Sequence, residues 1–319
     1  MLQSLLSSGQ RNEKERKNNP VESLLIAIAA NTLMIFSMKR AETADAHRKS
    51  VVLCNYLFGA CFIFLFGGGL ALGESAGTGS GFALQGLFSA HIGIAAGLAL
   101  VNACLMTTCL LLQQSSLRTN GAGITTTYNR LGILIPTLLS ALLFREYPTV
   151  LKAFGIALAI AAVLYSCEKE SDQAASQNAD SRKKNYGLLA LVFLTGGCID
   201  FISKVFGILC QPELKTLYTF VTFLLCAVIM LVVILVQKEP LTRKDVAYGA
   251  LIGIPNVGIT FSMVSAAAVL PAYIVFPVYS GAVIIIINLA SVVLFKERLT
   301  KREIIATAMI ATALVLLNL

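Results

Sequence analysis

The chain has 319 residues, of which 56% are hydrophobic and only 13% charged, with a mean hydropathy of +0.78 and a net charge of +8. Soluble domains carry roughly a quarter charged residues, and one globular core of this length cannot cover so much apolar surface. A soluble enzyme, a secreted disulfide scaffold and a disordered regulator are excluded, which leaves a polytopic membrane protein.

Residues 1–20 form a polar tail that lacks the apolar core and cleavage site of a signal peptide. Crossing roughly 30 Å of hydrocarbon takes about 20 mainly apolar residues. Ten stretches meet that length in chain order: 21–40, 50–71, 89–114, 123–144 and 149–167, then 186–208, 215–237, 246–268, 271–294 and 301–319. Continuous apolar runs of this kind do not alternate as barrel strands must, and a backbone in lipid has to bond to itself, so each run is expected to be a helix. Residues 168–185, rich in Ser, Asp, Gln and Lys, read as a linker between a first half at 21–167 and a second at 186–319.

The 25 Lys and Arg residues lie mainly in short clusters between the apolar runs, as loop cations do. A nucleic-acid surface would need a polar scaffold that is not there, so no nucleic-acid partner is expected. The eight cysteines sit in or at the rims of apolar runs without a C-x-x-C pair, and His47 and His91 have no metal-like neighbours. Cysteine as a small apolar filler is the simpler reading, with no metal and no cofactor expected. No phosphate-binding glycine loop of the form G-x-x-x-x-G-K-S/T occurs, which argues against an ATP-driven pump.

The two halves echo each other. The segment SALLFREYPT from Ser140 ends span four, and SVVLFKERLT from Ser291 ends span nine. The offset that relates Glu146 to Glu297 also pairs Tyr128 with Tyr279. Asn102 in span three answers Asn256 in span eight, and FSMK ending at Lys39 answers FISK ending at Lys204. With five helices in each, the halves would enter the membrane in opposite senses, the arrangement of secondary transporters that hold substrate near the midplane. The expected fold is therefore all-α, ten transmembrane helices in two inverted five-helix repeats.

The two span ends, LLFREYPTVLKAFGIALAIAAVLYS and VLFKERLTKREIIATAMIATALVLL, resemble those of the drug/metabolite transporter superfamily in its ten-helix, EamA-like branch. They are similar to that family's Gly-Glu-x-Leu-Thr turn followed by a small-residue helix. Lys39 and Lys204 fit the lysine of its first-helix signature and Gly197 fits its glycine, while Asn31 and Thr32 stand where the first copy has Trp-Gly. The resemblance covers residues 21–319. It implies alternating-access transport of a small metabolite through a central cavity, and both termini in the cytoplasm. The charge distribution points the other way, since the loops after the odd-numbered spans hold most of the cations.

Arg130, Asp200 and Lys204 fall well inside spans, where each charge costs about 2.5–3.5 kcal/mol on insertion scales. Asp200 and Lys204 are one helical turn apart and either neutralise each other or line the pathway. Arg130 has no acid within a turn; a carboxylate or phosphate in a wet cavity would suit its guanidinium, and a structural bond to Asp200 is the alternative. Pro136, Pro255 and Pro277 permit kinks. The asparagines in the spans serve equally as interhelical glue, with Asn102 and Asn256 favoured for function because they match across the repeat.

The expected substrate site is Arg130, Tyr128, Asn129, Asp200, Lys204, Asn102, Asn256, Tyr279, Ser280 and Lys39, with no catalytic residue. Two isolated histidines and one mid-membrane acid do not make a membrane enzyme. The leading expectation is a secondary active transporter in the cell membrane, first of all a bacterial cytoplasmic membrane. It would move an amino acid or similar carboxylate-bearing solute, with protons or another coupling ion. Efflux of lipophilic cations, and transport of a sugar phosphate or nucleotide sugar, are the alternatives.

Overall fold

The computed structural model of the protein describes residues 20–44, 46–70, 92–120, 125, 128–129, 131–145, 148–177, 185–295 and 301–318. Among them are ten α-helices and no strand. In chain order they are α1 (Pro20–Thr43), α2 (Arg48–Leu70), α3 (Ile92–Asn120), α4 (Leu134–Phe144), α5 (Val150–Gln177), α6 (Tyr186–Leu209), α7 (Lys215–Gln237), α8 (Arg243–Val269), α9 (Ala272–Phe295) and α10 (Lys301–Asn318). A single 3-10 turn, Pro212–Leu214, leads into α7.

Local chemistry sets several of the ends. Pro20 opens α1, where its missing N–H and fixed φ do no harm. The Asn185 side chain caps α6 by accepting from the Leu188 N–H at 3.1 Å. A capping box between Thr242 and Asp245 starts α8. Lys238, left-handed at φ 51°, ends α7 and turns the chain back at once. Among the described residues, six helices, α1, α2, α3, α6, α7 and α8, are long and apolar enough to cross a membrane. Their outward side chains are apolar as well: Leu65, Leu235 and Val236 are each at least two-thirds exposed, as are Leu142 on α4 and Val150 on α5. An apolar exterior of that extent belongs against lipid rather than water.

Two expected boundaries differ. Residues 123–144 do not form one helix: Gly132 and Ile133 lie in a turn, with i→i+3 bonds from Gly132 N to Asn129 O and from Ile135 N to Gly132 O. Regular helix resumes only at Leu134, because Gly132 is pressed against the backbone of α6 (below). The second difference is at the linker, the first part of which is helical. α5 runs on to Gln177 through residues such as Glu168, Lys169 and Gln173, which favour helix even where they are too polar for lipid.

The helices pair across the two halves. α8 packs on α1 and α2; α3 packs on α6 and α7; α2 meets α7 and α5 meets α10; α9 lies on α1 as α4 lies on α6. Contacts give the directions. Leu24, Ala27 and Ile28 share a core with Met263, Ala266 and Ala267, while Ala41 joins Ile252, so α1 and α8 run antiparallel. Ala95 and Ala99 share a core with Leu214 and Tyr218, and Ala103 with Phe223 and Cys226, so α3 and α7 run parallel.

The α2–α8 seam is a close one. Gly249 and Gly253, a small-xxx-small pair, lie against α2, where a Cβ added at Gly253 would stand 2.6 Å from the Asn55 carbonyl and one at Gly249 would strike Cys54. The offset between Asn102 and Asn256 carries Gly249 and Gly253 back onto Ala95 and Ala99, both fully buried on α3. Corresponding turns of α3 and α8 therefore carry the small residues that let a neighbour approach.

Candidate functional site

Where α6 crosses the broken fourth span, two glycines bring the backbones together. A Cβ on Gly132 would lie 2.9 Å from Gly197 N and 3.1 Å from Phe193 O, and one on Gly197 would collide with the Gly132 carbonyl and with Ile135. This approach sets Asn129 over α6, its Oδ1 2.8 Å from where a Cβ of Gly196 would be. The same oxygen accepts from Gln113 Nε2 on α3 at 2.9 Å, and Gln113 Nε2 also reaches Cys109 Sγ at 3.2 Å. Asp200, one turn beyond Gly196, is half-buried and within electrostatic reach of Cys109. Gln113, Asn129 and Asp200 thus gather at a meeting of α3, α6 and the lead into α4.

A like contact occurs in the other half. Asn31 Nδ2 on α1 donates to Tyr279 Oη on α9 at 2.6 Å. The offset from Lys39 to Lys204 carries Asn31 onto Gly196, and Tyr279 corresponds to Tyr128, the neighbour of Asn129. Tyr128, Tyr279 and Ser280 are all half-buried.

Lys204 is 2% exposed, and its Nζ donates to the carbonyl of Leu270 at 2.8 Å. Leu270 ends α8 one residue before Pro271, so the ammonium sits at the negative end of that helix and ties α6 to the α8–α9 corner. Among the described residues the ion pairs are His47–Asp245 and Lys49–Glu239, and Asp200 with Lys204 is not one of them.

The matched asparagines are not brought together. Asn256 Nδ2 donates to Asn55 Oδ1 at 3.2 Å within the α2–α8 seam. Asn102, 1% exposed on α3, has an Oδ1 without a hydrogen-bond partner, as do the buried hydroxyls of Tyr218 and Thr222 on the facing helix α7. Arg130 lies outside the described residues, as does the side chain of Lys39. Gln113, near the end of span three, is not among the expected site residues; its signal in the sequence is the Gln-Gln pair at 113–114.

No family model and no curated protein matches the sequence. Among solved structures, one described only as "Crystal structure of protein" is similar to this chain with a TM-score of 0.65 at 14% identity, covering 93% of this chain and 98% of its own. That likeness is one of fold, over nearly the full length of both chains.

Proposed function

We propose that this protein is a secondary transporter of the EamA-like kind, with two inverted five-helix repeats that move a small polar, carboxylate-bearing solute across the cell membrane by alternating access. The observation that carries the reading is the pair of corresponding contacts, Asn31 on Tyr279 and Gly196 under Asn129. Both put polar side chains where the halves meet, inside an otherwise apolar molecule. Supporting it are the reciprocal helix pairings and the break in the fourth span beside Asn129, since interrupted spans recur where transporters bind solute. In this reading Arg130 holds the carboxylate, Asp200 answers the solute's amine or a coupling proton, and Lys204 fixes the α8–α9 corner between them.

The test is uptake in proteoliposomes, screened with radiolabelled amino acids, quaternary amines and sugar phosphates. Amino acids are expected to be moved. Losing a charge-assisted bond worth about 1.5–3 kcal/mol should cut uptake by roughly ten- to a hundredfold in Arg130→Ala. Asp200→Asn is expected to lower transport of zwitterionic amino acids while sparing monocarboxylates. Transport of the amines alone, untouched by Arg130→Ala, would transfer the protein to the cation-efflux class.

A further inference from the structure

α1 and α8 lie side by side along their length, and their two ends differ. At the end where α1 begins and α6 and α8 finish, the helices leave a small, open-sided pocket of about 50 Å³. Both halves of the chain line it: Pro20 and Ser23 of α1, Cys210 after α6, Pro212, Lys215 of α7 and Ser265 of α8. Lys215 is held in the wall, with Nζ donating to Ser265 Oγ at 2.8 Å and standing 3.9 Å from the centre of the Phe261 ring. α1 and α7 also start at this pocket; the positive end of α7 adds to the lysine, while Glu22 in the first turn of α1 offsets the other. Gly207 of α6 and Ala268 of α8, both in the lining, meet at glycine distance and form its inner wall.

At the opposite end, two connections among the described residues are bonded together. Asp245, fully buried at the start of α8, accepts from the backbone N–H groups of His47 and Thr242, each at 2.8 Å, and meets His47 Nδ1 at 3.2 Å. Lys49 binds Gln237 and Glu239, and Ser50 Oγ donates to the Pro240 carbonyl at 2.8 Å. Lys244 Nζ reaches the Ala44 carbonyl. The α1–α2 connection of one half is in this way sewn to the α7–α8 connection of the other.

We propose that the pocket is the open mouth of the solute pathway, with Lys215 as the entrance contact for a carboxylate or phosphate group, and that the Asp245 junction closes the opposite end. This rests on the transport reading. It goes beyond that reading by assigning the direction in which the structure is open and a site not drawn from the repeat.

Cysteines already present report on both ends: Cys210, 9% exposed, lines the pocket, and Cys54, 4% exposed, lies under the junction against Gly249. Burial pushes the Cys210 thiol up to about 11. Labelling is therefore best run near pH ~9, where more of the reactive thiolate is present. In phosphatidylcholine nanodiscs, where reagents reach both faces, a sulfonate-bearing methanethiosulfonate is expected to outpace a trimethylammonium one at Cys210, read residue by residue by peptide mass mapping. One charge at close range in water acts oppositely on the two reagents. Lys215→Gln should therefore shift their rate ratio by about tenfold, and Lys215→Arg should preserve it. The wild-type ratio should also fall toward one at ~1 M salt, which needs no variant. Cys54 should stay unlabelled in the wild type and react at least ~10-fold faster in Asp245→Asn.

Soluble acetate or inorganic phosphate should slow labelling of Cys210 without anionic lipid. Protection that appears only with phosphatidylglycerol would make this a lipid site and overturn the proposal. So would an unchanged ratio in Lys215→Gln, or Cys54 labelled as fast as Cys210. None of these readouts requires transport. Failure of proteoliposome uptake with the labelling intact would remove the transporter reading and leave an anion-binding pocket.

Discussion

Gly253→Leu is expected to unfold the α2–α8 seam. The atoms that an added Cβ would meet are the Asn55 carbonyl at 2.6 Å and Gly59 N at 3.3 Å, both backbone, which cannot swing aside as a side-chain tip would. Overpacking of this kind typically costs about 1–3 kcal/mol and occasionally more. Leucine adds a further penalty by breaking the Asn256–Asn55 bond, which needs the same approach. In a membrane protein the loss is not softened by hydrophobic gain, because a leucine turned to lipid and one buried between helices are in equally apolar surroundings. The measurement is thermal unfolding of purified protein, with two matched substitutions for scale. Gly253→Ala should already lower the midpoint. Gly258→Ala should leave it nearly unchanged, since its new methyl would meet Ala30 Cβ at 3.5 Å, an ordinary contact. Equal tolerance of all three would mean that α2 and α8 are not held at glycine distance.

Asp245→Ala carries the second large effect. One carboxylate serves two helix starts at once, capping α8 through Thr242 N and accepting the His47 N–H immediately before α2. α2 and α8 run parallel with their first turns adjoining, so their positive ends would repel if the carboxylate were removed. Alanine leaves two backbone donors with little access to water, at about 1–3 kcal/mol each, and also loses the cap, worth about 0.5–2 kcal/mol. The expected destabilisation is about 3 kcal/mol, with Asp245→Asn intermediate because one acceptor oxygen survives. Hydrogen exchange at residues 46–50 should accelerate in both variants. Protection retained there in the alanine variant would show that the junction rests on Lys49 and Ser50 instead.

The sequence and the structure agree best where a claim depends on one helix alone. Several apolar runs become helices within a few residues of their expected ends, as at 186–208 against Tyr186–Leu209 and 215–237 against Lys215–Gln237. The disagreements mostly involve a second helix, the run of α5 to Gln177 being the exception. Asp200 and Lys204 are correctly spaced to pair along α6, yet Lys204 bonds to Leu270 because the end of α8 offers it an unsatisfied carbonyl. Span four reads as continuous in the sequence, since nothing in its residues reveals that Gly132 faces Gly197 across a backbone-to-backbone contact. Asp245 and Gln113 are not among the expected site residues. Each acquired its place from a partner more than ten residues distant or on the other half of the chain.

Composition and run length by themselves determined the solvent and the secondary structure, for a physical reason: a backbone without water must bond within its own segment, and only stretches of this apolar length reach across lipid. They could not determine which faces meet. Lipid tails are as apolar as leucine, so hydrophobicity does not tell an outward face from an inward one. The tertiary structure decided that through close approach at Gly249, Gly253, Gly132 and Gly197, and through the few polar groups that had to find one another: Asn31 with Tyr279, Gln113 with Asn129, and Asp245 with two helix starts.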